Sequence, residues 1–190
     1  MVYFFQYCSI RGAVLAFFER RTFPVMGDRH VCPIPLRNGE TVYMRLDEDL
    51  PADRAVVVCD PASFLRMWKL SGRRPEVLAC ESDWTRDYKY TEAAKGFSHG
   101  AENPVPLARV TFRWEISHAK FLTGRLGRWR KAFEAKPFLD FSNGITRTIW
   151  LLHSGAQFFP VECSKAEARA FHVAVGIGPS YLTRDDFRWD

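Results

Sequence analysis

The chain has 190 residues, 47% of them hydrophobic, with 16 Phe, 6 Trp and a formal net charge of +5. That length and apolar content suit a packed globular domain and exclude a disordered or fibrous chain. Five cysteines, Cys8, Cys32, Cys59, Cys80 and Cys163, are odd in number and form no Cys-x-x-Cys pair, so neither a disulfide framework nor a zinc site is suggested and a reducing cytoplasm fits best.

From Val2 to Phe18 the chain is apolar and aromatic but is interrupted by Gln6 and Arg11 and is too short to span a bilayer. Neither a signal peptide nor a transmembrane helix is expected. A contact with the membrane surface, at the inner face of the inner membrane, is the alternative to core packing for this segment. Asn38-Gly39 then separates two strand-like runs, with Val42, Met44 and Leu46 alternating, which predicts a hairpin. Ala55 to Cys59 reads as a buried strand. Asp60-Pro61 supplies an N-cap and a first-turn proline for a helix through Leu70 closed by Gly72. Glu76 to Cys80 reads as a further strand.

Ser82 to Pro106 shows no clear period and predicts a long ordered loop bordering the site, carrying Asp83, Trp84, Asp87, Lys89, Tyr90, His99, Glu102 and Asn103. Val105 to Arg113 reads as a strand. In the next stretch Leu122, Leu126, Trp129 and Phe133 follow i, i+4, i+7, i+11 spacing, which predicts an amphipathic helix, with Gly124 and Gly127 counting against it. From Arg113 to Lys136 seven basic residues stand against Glu115 and Glu134, so the whole net charge sits in this stretch. A basic surface so confined is what a phosphate-backbone partner requires, and Lys120, Arg125, Arg128, Arg130 and Lys131 are the candidate DNA contacts. A solvated basic face is the alternative.

Phe138 to Phe141 is a short apolar strand, Ser142-Asn143-Gly144 is turn chemistry in which Gly144 takes positive φ, and Ile145, Ile149 and Leu152 start a buried helix ended by Gly155. The first turn of that helix offers unpaired N–H groups and the positive end of the dipole, so an anion can dock there. Arg147 adds a forked donor, and Asn143, Thr146 and Thr148 add neutral hydrogen-bonding groups around the turn. The same features also describe a capped core helix whose Arg147 pairs with a carboxylate. Glu134 and Asp140 flank the strand into the turn and are the candidates for water activation or Mg2+ coordination, with Lys136 as charge partner. His118 and His153 are candidates for proton transfer, but His153 on a largely apolar helix reads more readily as a satisfied core histidine and carries no weight. Phe159, Val161 and Cys163 alternate as a strand, and Ser164 to Glu167 has the spacing of a capping box for a helix ending at Gly176.

No repeat or composition break marks a second domain, so residues 1–190 read as one α+β domain. Strand Pro106 to Val110, the basic segment, a strand, the Gly144-x-x-Arg147 turn, a helix and Phe159-Pro-Val-Glu-Cys163 together resemble the ParB/sulfiredoxin superfamily, in which such a turn holds nucleotide phosphates. The resemblance covers residues 104–178 and implies a small mixed sheet with helices, elaborated by an N-terminal α/β extension over 1–103. Sulfiredoxins place a catalytic cysteine where this chain has Ile145, and ParB proteins carry a basic residue at Thr146 and continue into helix-turn-helix regions not expected here. Asn103-Pro-Val-Pro-Leu-Ala108 and Asn143-Gly-Ile-Thr-Arg-Thr-Ile-Trp-Leu-Leu152 are more closely similar to plasmid fertility-inhibition factors. That resemblance implies ATP hydrolysis and DNA cleavage that block DNA export by a conjugative or type IV secretion apparatus. Its alternatives are a non-enzymatic inhibitor that binds the secretion coupling protein or DNA, and a nucleotide-gated switch of the ParB kind.

Overall fold

The computed structural model describes residues 17–46, 49–78, 81–86, 88–123 and 128–188, with the side chains at 76, 78, 88, 117–123 and 128–133 outside that description. Among the described residues, nine strands form two mixed sheets. In the first, β1 (Glu19–Phe23), β2 (Gly27–Pro35) and β3 (Thr41–Arg45) run antiparallel in sequence, and β5 (Val105–Pro106) joins β3 in parallel. The expected Asn38-Gly39 hairpin is the β2–β3 connection, with Gly39 at φ 87°. The second sheet has the order β7-β6-β8-β4-β9. Its members are β4 (Arg54–Cys59), β6 (Ala108–Thr123), β7 (Arg128–Asn143), β8 (Phe159–Ser164) and β9 (Leu182–Thr183). Within this sheet, β6 and β8 pair in parallel and the other described pairs are antiparallel.

The two sheets meet where β5 passes into β6 through Leu107. They meet again after helix α4 (Ile145–His153), where Arg37 N–H donates to Gly155 O and Gln157 N–H to Pro35 O. Helix α1 (Pro61–Ser71) forms as its sequence dictates: Asp60 accepts a hydrogen bond from Ser63 N–H at 2.7 Å, Pro61 opens the first turn, and Gly72 at φ 65° closes the last. Its Phe64 lies edge-on to Phe159 and packs among Phe141 and Phe171, the latter from α5 (Lys165–Val175). Helices α1 and α5 therefore cover the sheet face that carries Val161, Phe112 and Leu139, all buried. Aromatic pairs at these separations add about 0.5–1.5 kcal/mol each beyond their buried area.

Four expectations are corrected. The basic helix across 113–136 is a hairpin: β6 and β7 pair antiparallel from Arg109↔Asn143 to Thr123↔Arg128, with a bulge at Arg109/Val110. Of the four residues with helix-like spacing, Leu122 and Trp129 are cross-strand partners, Phe133 pairs with His118, and Leu126 lies outside the described residues. Val110, Phe112, Trp114 and Ile116 alternate along β6, and β-branched and aromatic residues favour the strand. The long loop is mostly helical, with 3-10 turns at Glu81–Arg86 and Gly100–Glu102 around α3 (Tyr88–Ser98). Only a narrow face of α3 is apolar, and Phe97 stacks on Trp150 of α4 with centroids 4.5 Å apart. In place of a strand at 76–80 a short helix α2 occupies Pro75–Leu78, and residues 79–80 lie outside the described residues. Ser164 takes the N-cap position of α5, but its side chain makes no capping bond. The capping box forms instead at the C-terminal 3-10 turn, between Thr183 and Asp186.

Candidate functional site at the Gly144 turn

The turn that joins β7 to α4 forms as expected. Gly144 sits at φ 85°, and its carbonyl accepts the first helical bond, from Thr148 N–H at 3.2 Å. A side chain is excluded there, because a Cβ would lie 2.8 Å from both Cα and Cβ of Ala108 and 2.9 Å from Nε of Arg147. Thr148 is buried, and its hydroxyl donates back to Gly144 O at 3.1 Å. It therefore serves the helix rather than a ligand. Thr146 is half-buried and Asn143 is exposed beside it. The early N–H groups of α4 leave the positive end of the helix dipole at the mouth of this turn.

Arg147 does something its sequence context does not suggest. Its guanidinium donates to Pro106 O at 2.5 Å, Leu107 O at 3.3 Å and Asn143 Oδ1 at 3.4 Å. Those two carbonyls flank the crossing between the sheets, so Arg147 ties α4 to the point where β5 becomes β6. Its anion-binding capacity is reduced by the donors it spends there.

Glu134 and Asp140 do not come together. They lie six residues apart on β7, which is about 20 Å at the rise of a strand. Glu134 is exposed and pairs with Lys136 at 3.5 Å. Asp140 faces Arg74 at 3.6 Å and accepts from its neighbour Phe141 N–H at 2.8 Å. No group of three or more acidic, His or Cys side chains suited to a metal ion occurs among the described residues. Of the basic candidates, Lys120 and Lys131 are direct cross-strand partners, and Arg128 and Arg130 lie on β7 opposite Thr123 and Phe121. Their side chains, like that of His118, and the whole of Arg125 lie outside the described residues. His153 Nδ1 is 2.6 Å from the Tyr90 hydroxyl, a contact between α4 and α3.

The residues that sequence reasoning missed are Arg54, Arg109 and Glu162. Glu162 is 6% exposed in the middle of β8, where it faces Val56 on β4 and Arg109 on β6. Arg54 Nε approaches Oε1 at 2.7 Å, and Arg109 Nε approaches Oε2 at 3.2 Å. A single buried carboxylate is thus clamped by two guanidiniums from the two flanking strands. Arg109 is also the register partner of Asn143, and its carbonyl accepts from the Ser142 hydroxyl at 3.3 Å. Its side chain is 48% exposed, so it carries positive charge to the edge of the Gly144 turn. The signal was present in Phe-Pro-Val-Glu-Cys, where a carboxylate interrupts a run of core residues and needs a partner. Further along the same face, Arg73 and Arg113 lie 4.3 and 3.7 Å from the Phe138 ring.

The described cysteines are not nucleophiles. Cys32, Cys59 and Cys163 are buried; burial pushes the first two thiols up and lifts Cys163 to about 12. No described helix is long and apolar enough to cross a membrane.

A solved crystal structure of the Oncogenic Suppression Activity Protein, a plasmid fertility inhibition factor studied as a gold(I) cyanide derivative, superposes with a TM-score of 0.61. It is 24% identical and covers 88% of this chain and 81% of that one, a likeness of α+β fold. The curated Protein osa of Shigella flexneri is 27% identical over 146 residues, which are 76% of this chain and 67% of the relative. The match to the family model of plasmid fertility inhibition factors runs over residues 56–176, from within β4 through Arg109, the Gly144 turn and Glu162 to the end of α5, and Arg54 stands two residues before it. With the Gly144 turn and well over half of the sequence inside that match, the chain belongs to the plasmid fertility inhibition factor family.

Proposed function

We propose that this fertility inhibition factor works as an enzyme that hydrolyses ATP and cleaves DNA, and so blocks DNA export through a conjugative or type IV secretion apparatus. The observation that carries the reading is the convergence of the α4 N-terminus, Asn143 and the half-exposed Arg109 on one edge of the second sheet. Backbone N–H groups, a neutral amide and a guanidinium are the donors a phosphate needs. In this reading the nucleotide phosphates lie against residues 143–148. Arg109 supplies the charge, Glu162 and Arg54 hold Arg109 in place, and Arg147 keeps the turn seated on the β5–β6 crossing.

Asp140 is the carboxylate for water activation, about 10 Å along β7 from Asn143, whereas Glu134 stands about 30 Å away. One Mg2+ held by both carboxylates does not fit that separation. The DNA backbone is the proposed partner of the hairpin bearing Lys120, Arg128, Arg130 and Lys131. The coupling protein of the secretion apparatus is the proposed target in the cell, at the cytoplasmic side.

Purified protein tests the reading through binding of a fluorescent ATP analogue, phosphate release and nicking of supercoiled plasmid, each followed across chromatography fractions. Arg109→Gln is expected to weaken ATP binding at least tenfold. Asp140→Asn is expected to reduce hydrolysis far more than binding, because a group acting on water serves the transition state. Activity that fails to co-elute with the protein, or ATP binding indifferent to Arg109→Gln, would overturn the assignment. A non-enzymatic inhibitor is the second reading. It is favoured by the commitment of Arg147 to backbone carbonyls and by the distance between Glu134 and Asp140.

A further inference from the structure

On the helix-covered face of the second sheet, α1, α5 and β6 enclose an open groove of about 620 Å3 that the proposed chemistry does not use. Ala166, Ala170 and Ala174 recur at i, i+4 and i+8 along α5 and form its floor. Trp114 and Val173 stand over it, 45% and 82% exposed, and Arg66 and Arg169 complete its lining. Ile116, 65% exposed, extends the apolar surface two residues further along β6. Trp114, Ile116 and Val173 are three of only five large hydrophobic side chains that are exposed among the described residues. Their gathering at one groove is a patch rather than scatter.

We propose that this groove docks an acidic amphipathic helix of a partner protein. Three properties select that occupant. The alanine floor runs from Ala166 to Ala174 of α5, about 12 Å or two helical turns, and small side chains let a second helix approach closely. No acidic residue lines the groove, and neither Arg66 nor Arg169 has a carboxylate partner among the described residues, so the surface offers two uncompensated guanidiniums to a negative ligand. Most of the lining is alkyl or aromatic, which gives an apolar helix face somewhere to bury and gives a nucleic acid little to hold. A second copy of the chain is disfavoured, because a symmetric contact would set Arg66 and Arg169 against the same charges.

The probe is a fluorescein-labelled peptide of about 14 residues with Leu at i, i+4, i+7 and i+11 and Glu on the flanking positions; its counterpart carries Lys in place of Glu. Anisotropy gives affinity, and the indole N–H resonance of Trp114, assigned with Trp114→Phe, reports the location. The acidic peptide is expected to shift that resonance and to bind at least about tenfold more tightly than the Lys peptide. Val173→Asp should weaken it about tenfold. Arg66→Glu with Arg169→Glu should reverse the preference between the two peptides, and all these exposed-site variants should keep the unfolding temperature of the parent. Equal affinity for the two peptides overturns the proposal, as does acidic-peptide binding that survives Val173→Asp. It is equally overturned if a single-stranded oligonucleotide shifts the Trp114 resonance and competes, or if sedimentation shows self-association that Val173→Asp abolishes.

Discussion

Replacing Gly144 with alanine attacks the turn on which the proposed anion site depends, and its cost separates into two parts. The left-handed backbone at φ 85° costs an L-residue about 1–2 kcal/mol. The new methyl would also lie 2.8 Å from two Ala108 atoms, one of them backbone, so β6 or α4 has to shift, at a typical overpacking cost of about 1–3 kcal/mol. Gly39 provides the control, because it sits at φ 87° and a methyl added there would meet nothing within 4 Å. Gly39→Ala is therefore expected to cost only the backbone part, and Gly144→Ala about 2–5 kcal/mol. For a chain of this length 1 kcal/mol moves the midpoint by about 2–4 °C, so Gly144→Ala should melt roughly 5–20 °C lower. Calorimetry on the two variants and the parent measures the difference. Equal melting temperatures for Gly39→Ala and Gly144→Ala would refute the close approach of Ala108 and, with it, the seating of the turn against the β5–β6 crossing.

Two further outcomes follow from the buried charges. Glu162→Ala strips the carboxylate from between two guanidiniums; Arg109 can turn to water, but Arg54 is only a quarter exposed, so a loss of about 3 kcal/mol is expected in denaturant titration, and a loss under about 1 kcal/mol would show that the clamp contributes little. Burial holds the pKa values of His30 and His172 below the ordinary histidine value, in His30 against the opposing bond to Phe187 O. The unfolded chain then binds more protons than the folded one below about pH 6.5, so this contribution is intact above that pH and is lost as pH falls through it. The melting temperature should drop between about pH 7 and pH 5, and the drop should be shallower in His30→Gln with His172→Gln; an unchanged slope would count against both assignments.

How much of this was legible in the sequence depended on the range of the interactions involved. Asp60-Pro61 and Gly72 define α1 because caps and proline act within a few residues, and Asn38-Gly39 makes its turn for the same reason. Ser142 to Arg147 likewise announced a strand, a left-handed glycine and a helix start, each a local preference. The helical spacing of Leu122, Trp129 and Phe133 in the stretch 113–136 is shared by two paired strands, where Leu122 faces Trp129 and Phe133 faces His118, and only pairing in space distinguishes the two. Helix α3 was hidden because much of its sequence is polar and its buried Phe97 finds Trp150 more than fifty residues away.

The site divides along the same line. Sequence alone was enough for the Gly144 turn, the helix start that follows it and the concentration of charge between Arg113 and Lys136, since all three depend on residue type and short spacing. Tertiary structure alone decided that Arg147 spends its donors on the carbonyls of Pro106 and Leu107, about forty residues away. It also decided that Glu134 and Asp140 lie far apart on one strand, and that Glu162 draws Arg54 and Arg109 from the strands on either side. Pairing across a sheet brings together side chains that no local period relates, and a buried carboxylate must find its counter-charge wherever the neighbouring strands supply it.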